Sequence, residues 1–175
     1  MGKILVRRVN ERFLEGIIVE TEAYYGSNDP ASRAYSGMKT YNRLMWDEPG
    51  IVFIYNVHKY WMLNIVAHKP KEIGAVLIRA IEPRKGIKEM LRNRPVKKII
   101  NLTNGPGKLT LAFNIDKRYN GVKATSHESP ITILNSECKP IIMSSHRIGV
   151  KMDLKKKLRF FIKGNDFVSR KLLDK

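Results

Sequence analysis

Residues 18–26 read Ile-Val-Glu-Thr-Glu-Ala-Tyr-Tyr-Gly and carry the sharpest signal in the chain. The β-branched residues at the start of this stretch favour a strand that continues from Ile17. Because side chains alternate along a strand, Glu20, Glu22 and Tyr24 are expected on one face. Carboxylates that crowd each other beside an aromatic ring bind a proton more tightly, which suits a base that takes a proton from water.

The same spacing also fits an ordinary half-exposed strand on which Glu20 and Glu22 face solvent. Strands with one solvated face are common in antiparallel sheets. Spacing alone favours this simpler interpretation, so a site at these carboxylates requires support from the rest of the sequence.

Working outward, further short runs of β-branched and aromatic residues indicate strands in the part of the chain that follows this stretch. Two segments with apolar residues at helical spacing predict helices over 86–94 and 108–114. The mixture predicts an α+β fold in which strands dominate. The other strand candidates are 51–55, 61–66, 75–81 (closed by Pro83), 131–134, 140–143 and 158–162.

The composition predicts a single domain over residues 1–175, since no repeat, low-complexity tract or long linker divides the chain. Cys138 is the only cysteine, which excludes an internal disulfide and a zinc cluster of the Cys-x-x-Cys kind. No apolar run approaches the roughly 18 residues of a membrane span, and the first residues lack the apolar core of a signal peptide. We therefore expect an intracellular protein, cytoplasmic in a prokaryote or nuclear in a eukaryote.

The charge of the chain points to a polyanionic partner. Lys and Arg number 33 against 16 Asp and Glu, which gives a formal net charge of +17. Such an excess favours nucleic acid as the partner over a device for solubility alone. Charge does not distinguish DNA from RNA.

A set of motifs runs in a fixed order from Glu20-Thr21-Glu22-Ala23-Tyr24 to the segment 159–169. Between them stand Asp-Pro-Ala-Ser at 29–32, 40–43, Pro-Gly at 49–50, Phe-Ile-Tyr at 53–55, Leu-Asn at 63–64, 77–83, Asn-Gly-Pro-Gly-Lys-Leu at 104–109 and Arg-Ile-Gly-Val at 147–150. This ordered set resembles the alkyladenine, or 3-methyladenine, DNA glycosylases over nearly the whole chain.

The resemblance implies one mixed domain on a curved antiparallel sheet with flanking helices, a fold related to the C-terminal domain of methionyl-tRNA formyltransferase. It implies a monofunctional, monomeric enzyme that flips a damaged purine out of double-stranded DNA and hydrolyses its N-glycosidic bond. The implied substrates are 3-methyladenine, 7-methylguanine, hypoxanthine and ethenoadenine. No cofactor and no metal are expected, and a separate enzyme would process the abasic product.

The resemblance also assigns catalytic roles. Glu22 matches the general base for the attacking water. Arg79 matches an arginine that helps to hold this water, and the carbonyl of Ile148 matches another ligand of it.

The resemblance assigns the base pocket to a second set of residues. Tyr24 and Tyr55 match the rings between which the flipped base stacks, and Asn64 matches the pocket floor that disfavours a purine with an N2 amino group. Arg33 stands in Ala-Ser-Arg-Ala, where the family usually has Ala-Ser-His-Ala. A backbone contact to the base is expected at this position, without any imidazole role.

A second departure from the family lies in the turn that reads Asn-Val-His-Lys-Tyr at 56–60. The family usually has a Tyr-Gly-Met segment here, whose Tyr fills the gap left by the flipped base. His58 or Val57 would have to fill that gap, and the sequence does not choose between them. Lys59 and Lys108 are expected near the DNA backbone.

Two alternatives stay open at this point. One is a non-catalytic nucleic-acid-binding module of the same fold, which would have no need for Glu22, Arg79 and Asn64 together. The other is a shift toward damage in single-stranded DNA or RNA, where unstacking a base costs less.

Overall fold

The computed structural model describes residues 1–169, so the predicted domain of residues 1–175 is described up to Ser169 and 170–175 lie outside the described residues. Within this range one antiparallel sheet carries two short α-helices, which confirms the α+β class and the curved antiparallel sheet. The strands are β1 (Ile4–Val9), β2 (Arg12–Tyr25), β3 (Val52–Val57), β4 (Tyr60–Val66), β5 (Gly74–Lys85), β6 (Ile131–Leu134), β7 (Ile142–Ser145) and β8 (Arg159–Ile162). The helices are α1 (Ile87–Asn93) and α2 (Pro106–Ala112).

Strand β2 is the centre of the sheet. The order is β3-β4-β5-β2-β1-β6, and β8 pairs with β2 and β7. Along one edge β2 pairs with β5, and along the other it pairs first with β1 and then with β8. A 14-residue strand can therefore take three partners, β1 along its first half and both β5 and β8 at the stretch 18–26.

The register aligns one row of residues across five strands. Phe53 pairs with Asn64, Asn64 with Leu77, Leu77 with Glu22 and Glu22 with Arg159. Directly paired residues project to the same face of a sheet. Strand pairing thus places Asn64 and Glu22 on the same face without any contribution from loops.

An irregularity in the pairing of β2 and β5 lies beside this row. Val19 and Arg79 have no paired residue, on either side of the pair Glu20 and Ala80. Such bulges bend a strand and redirect side chains. Arg79 is consequently buried beside the carboxylates of β2.

The main hydrophobic core fills the space between the other face of the sheet and the helices, because both present apolar side chains there. A smaller cluster lies beneath the loop that follows β2, and a third lies between β2, β5 and β8. Fully buried members of the main core include Leu5, Leu14, Leu63, Met90, Leu109, Phe113 and Ile131.

The sequence predicted most elements but misjudged some of their limits. The prediction that Pro83 closes its strand was wrong, since β5 continues to Lys85. Pro83 pairs with Gly16 next to a register shift, where a missing backbone N–H is tolerated. Strand β1 was not predicted, because Arg7 and Arg8 interrupt its apolar pattern.

We predict that Gly86→Ala destabilises the fold more than Gly121→Ala. Both glycines have positive φ, of +76° and +92°. A β-carbon at Gly86 would lie 2.7 Å from the carbonyl oxygen of Phe13, whereas nothing lies within 4 Å of one at Gly121. We expect Gly121→Ala to lower the free energy of unfolding by about 1–2 kcal/mol, and Gly86→Ala by at least about 1 kcal/mol more. Urea denaturation measures both, and equal losses would contradict the packing described at Gly86.

Candidate active site

Three hydrogen bonds hold the carboxylate of Glu22 in place. Its Oε1 accepts the backbone N–H of Ile148 at 2.7 Å, and its Oε2 accepts the hydroxyl of Tyr24 at 2.8 Å and Nη1 of Arg79 at 3.2 Å. Glu20 and Glu22 are both 0% exposed, so the solvent-facing alternative is wrong. The contacts confirm that Glu22 and Tyr24 share a face.

Glu20 binds Arg79, the arginine that also bonds Glu22. Its Oε1 accepts Nε of Arg79 at 3.0 Å and Nε of Arg159 at 2.7 Å, and its Oε2 accepts the N–H of Ser169 at 2.6 Å. Burial alone would raise the pKa of Glu20, but Arg79, Ser169 and Arg159 outweigh burial and lower the pKa below its ordinary value. Glu20 therefore stays anionic and fixes the guanidinium of Arg79.

Tyr24 is a hydrogen-bond donor at this site. Burial raises the pKa of its hydroxyl, and the nearby carboxylate of Glu22 raises it further. The phenol consequently stays protonated and donates a hydrogen bond to Glu22. The guanidinium of Arg147 covers the ring, 4.6 Å from its centroid.

Arg147 clamps the segment that carries Ile148 onto β2. It forms a two-pronged ion pair with Asp29 at 2.6 and 2.7 Å, and its Nε donates to Asp153 at 2.8 Å. Burial alone would lower the pKa of Arg147, but both carboxylates raise it. This clamp positions the Ile148 N–H that reaches Glu22.

Sequence reasoning assigned no role to Asp29, Arg147 or Arg159. Each lies within a motif that carried the family resemblance, at 29–32, 147–150 and 159–169. A charged residue inside such a motif was the available signal. The burial and pairing of Arg159 depend on the register of the sheet, and those of Asp29 and Arg147 depend on how two loops meet; the sequence supplied neither.

The structure brings together four of the five residues predicted for the base pocket, and the fifth, Ile148, does not line the cavity but donates its N–H to Glu22. Tyr24, Arg33, Tyr55 and Asn64 line one small cavity together with Met45, Phe53 and Ala75. The Nδ2 of buried Asn64 donates to the carbonyls of Phe53 at 3.2 Å and Met62 at 3.0 Å, which fixes the orientation of its amide.

The hairpin between β3 and β4 contains Val57, His58 and Lys59, which were predicted to contact DNA. None of the three lines this cavity. Val57 pairs with Tyr60, so the turn consists of His58, with φ +52°, and Lys59. His58 and Lys59 are exposed, whereas Val57 is half-buried. The structure brings neither residue of the turn to Glu22.

Lys108 lies in α2 and donates to Oδ1 of Asn104 at 2.8 Å. A β-carbon at Gly107 would meet Tyr60, so the start of α2 lies against the hairpin. Burial and the charge of Arg94 lower the pKa of Lys108.

Residues 1–169 contain no group of three or more His, Cys, Asp or Glu residues arranged to hold a metal ion. No helix within the same range is long and apolar enough to cross a membrane.

Comparisons with known proteins agree with this arrangement. The chain matches the family described as methylpurine-DNA glycosylase over residues 1–166. Relatives provisionally named 3-methyladenine DNA glycosylase include one from Clostridium perfringens, 40% identical over 98% of this chain and 91% of its own length. A relative from Oceanobacillus iheyensis is 38% identical over 97% of this chain and 87% of its own length. One from Aeropyrum pernix is 38% identical over 97% of this chain and 84% of its own length.

The buried carboxylate beside an aromatic pocket on a basic chain, together with these relatives, defines a DNA glycosylase of base-excision repair. The chain belongs to the methylpurine-DNA glycosylase family. Its substrate is accordingly DNA.

We predict that Glu20→Gln removes a pH-dependent part of the stability. Because the folded pKa of Glu20 is lowered, its contribution is present at neutral pH and is lost as the pH falls below about 4. At pH 7 the variant should lose about 3 kcal/mol of unfolding free energy, because two buried arginines each lose one carboxylate partner. The difference from wild type should shrink as the pH falls toward about 3.

Denaturation curves at several pH values measure this difference, and Glu15→Gln is the control. Glu15 lies on the same strand and pairs with exposed Lys85 at 3.2 Å, so its loss should cost below about 1 kcal/mol. A Glu20→Gln loss that is independent of pH would contradict an anionic Glu20.

Proposed function

We propose that this glycosylase flips a damaged purine nucleotide out of double-stranded DNA and hydrolyses its N-glycosidic bond with a water activated by Glu22. The observation that carries the proposal is the position of Glu22. Its carboxylate is fully buried, and it bonds Tyr24, one of two tyrosines that line the cavity.

The hydrogen bonds of Glu22 indicate which of its oxygens takes the proton. A carboxylate oxygen accepts about two hydrogen bonds. Among the described residues, Oε2 accepts two bonds, from Tyr24 and Arg79, and Oε1 accepts one, from Ile148. Oε1 therefore has acceptor capacity left for a water.

The reaction follows from this placement. The water oxygen bonds C1′ of the deoxyribose, the electron pair of the C1′–N bond leaves with the purine, and Oε1 of Glu22 takes the proton of the water. The anionic carboxylate also stabilises the positive charge that develops on the sugar. Arg79 donates to Oε2 of Glu22 and fixes its carboxylate, and the carbonyl of Ile148 is a second ligand of the water in this proposal.

The pocket explains which bases are accepted. Tyr24 and Tyr55 provide rings that stack on any flat base. Asn64, with its amide fixed, disfavours the N2 amino group of guanine; 7-methylguanine keeps that group, but its positive charge makes it a better leaving group. The proposed substrates are 3-methyladenine, which the relatives' names contain, together with 7-methylguanine, hypoxanthine and ethenoadenine.

DNA binding rests on the net charge of +17 and on the turn at His58. We propose that exposed His58 fills the gap left by the flipped base, with Lys59 and Lys108 near the backbone. The enzyme acts as a monomer, and a separate enzyme processes its abasic product. Because its substrate is DNA, we expect it in the compartment that holds DNA, the cytoplasm of a prokaryote or the nucleus of a eukaryote.

We predict that Glu22→Gln lowers single-turnover excision from a hypoxanthine duplex by at least about a hundredfold, because a general base is lost. Duplex affinity should stay within a few-fold, because the surface charge is unchanged. Release of free base measures excision, and gel shift measures binding. Glu20→Gln, the same change two residues away, is the matched control and should reduce excision much less.

Other outcomes separate the remaining alternatives. No release by wild type from any damaged duplex, with salt-sensitive binding retained, would favour the non-catalytic module. Release from single strands alone would favour the shift in substrate. A Glu20→Gln variant slower than Glu22→Gln would overturn the assignment of the base.

We predict that His58→Gly slows excision from a duplex by about tenfold but leaves excision from a single strand unchanged. Glycine keeps the positive φ of the turn and removes the side chain. A weaker filler lowers the fraction of flipped base only where the base must leave a stack. Val57→Ala is the control, and a duplex-specific loss in that variant instead would identify Val57 as the filler.

A further inference from the structure

Arg33 lies over the stacking face of the base pocket. Its guanidinium carbon is 4.7 Å from the centroid of the Tyr55 ring. Burial raises the pKa of Tyr55, and the charge of Arg33 opposes that rise. The cation and the ring are therefore coupled, and the ring that is proposed to stack on the base already has a partner.

Arg33 and Tyr55 each line two cavities. The inner cavity, between Tyr24, Tyr55 and Asn64, has a volume of about 10 Å³. An outer cavity of about 460 Å³ runs along β3 and is lined by Arg33, Tyr55 and Tyr41. A space of about 10 Å³ holds at most one water, so a purine cannot lie between the two tyrosines while the guanidinium stays in place.

The loop allows the side chain of Arg33 to move while its backbone stays fixed. The Nδ2 of buried Asn42 donates to the Arg33 carbonyl at 2.7 Å. The neighbours Ser32 and Ala34 are buried, whereas Arg33 itself is exposed. An entering base therefore displaces a side chain and not the loop.

On the basis of the proposed function, we infer that Arg33 sets the specificity of the pocket, favouring neutral damaged purines over cationic ones. A cationic base such as 7-methylguanine competes with the guanidinium for the same ring and brings a second positive charge to it. Among the described residues, none that lines the inner cavity is a carboxylate, and Glu22, which bonds Tyr24 of that lining, is already paired with Arg79.

A neutral base such as hypoxanthine meets a different environment. It displaces the guanidinium from the ring without charge repulsion. Its ring nitrogen and carbonyl oxygen then accept hydrogen bonds from the displaced group, which has five N–H donors. The same arginine thus opposes one class of substrate and holds the other.

The experiment compares single-turnover excision of 7-methylguanine and hypoxanthine from matched duplexes. Arg33→Gln removes the charge and keeps two N–H donors on a shorter side chain, and it should raise the ratio of 7-methylguanine to hypoxanthine excision about tenfold. Arg33→Lys keeps the charge, and its ratio should stay nearer to wild type. Arg43→Gln removes the same charge from an exposed position that lines neither cavity, and should leave the ratio unchanged.

The ratio distinguishes selection from folding and DNA binding, because a loss of either slows both substrates alike. A ratio for Arg33→Gln within twofold of wild type would overturn the inference and leave the proposed function intact. An equal rise in Arg43→Gln would also overturn it, because the effect would then come from net charge. Excision of neither base by wild type would overturn both.

Discussion

The site depends on four charged side chains that are buried together in the sheet. Glu20 and Glu22 are 0% exposed, and Arg79 and Arg159 are 8% and 1% exposed. A buried charge costs several kcal/mol unless it is paired and hydrogen-bonded. The four balance one another only in the observed register of β2, β5 and β8. The interactions that satisfy the fold are therefore the same ones that hold Glu22 in place.

A second buried ion pair extends this arrangement into the loops. Arg147 and Asp29 join the loop after β2 to the segment before β8, and the N–H of Ile148 reaches Glu22 as a result. Glu20, Glu22 and Asp29 are fully buried as partners of arginines. The net charge of +17 is consequently carried mainly at the surface, where a polyanion such as DNA meets it.

Much of the fold was predictable, because the strands and helices have clear apolar periodicity. The shared face of Glu22 and Tyr24 followed from the period of two along a strand. The burial of the carboxylates did not follow, because spacing cannot distinguish a solvated face from one on which Arg159 of β8 pairs with Glu20, and β8 lies more than 130 residues later in the sequence. The stacking of Arg33 on Tyr55 was equally hidden, since it depends on how a loop folds back over β3.

Glu22 and Arg79 are proposed to act on one water as a unit. Single-turnover excision from a hypoxanthine duplex by Arg79→Gln, Glu22→Gln and the double variant tests it most directly, at a temperature where circular dichroism shows all of them folded. Residues that act as a unit give non-additive losses. We expect the excision rate of the double variant to lie within about threefold of that of Glu22→Gln alone. Losses that multiply in the double variant would show that the two residues act independently and not as a unit.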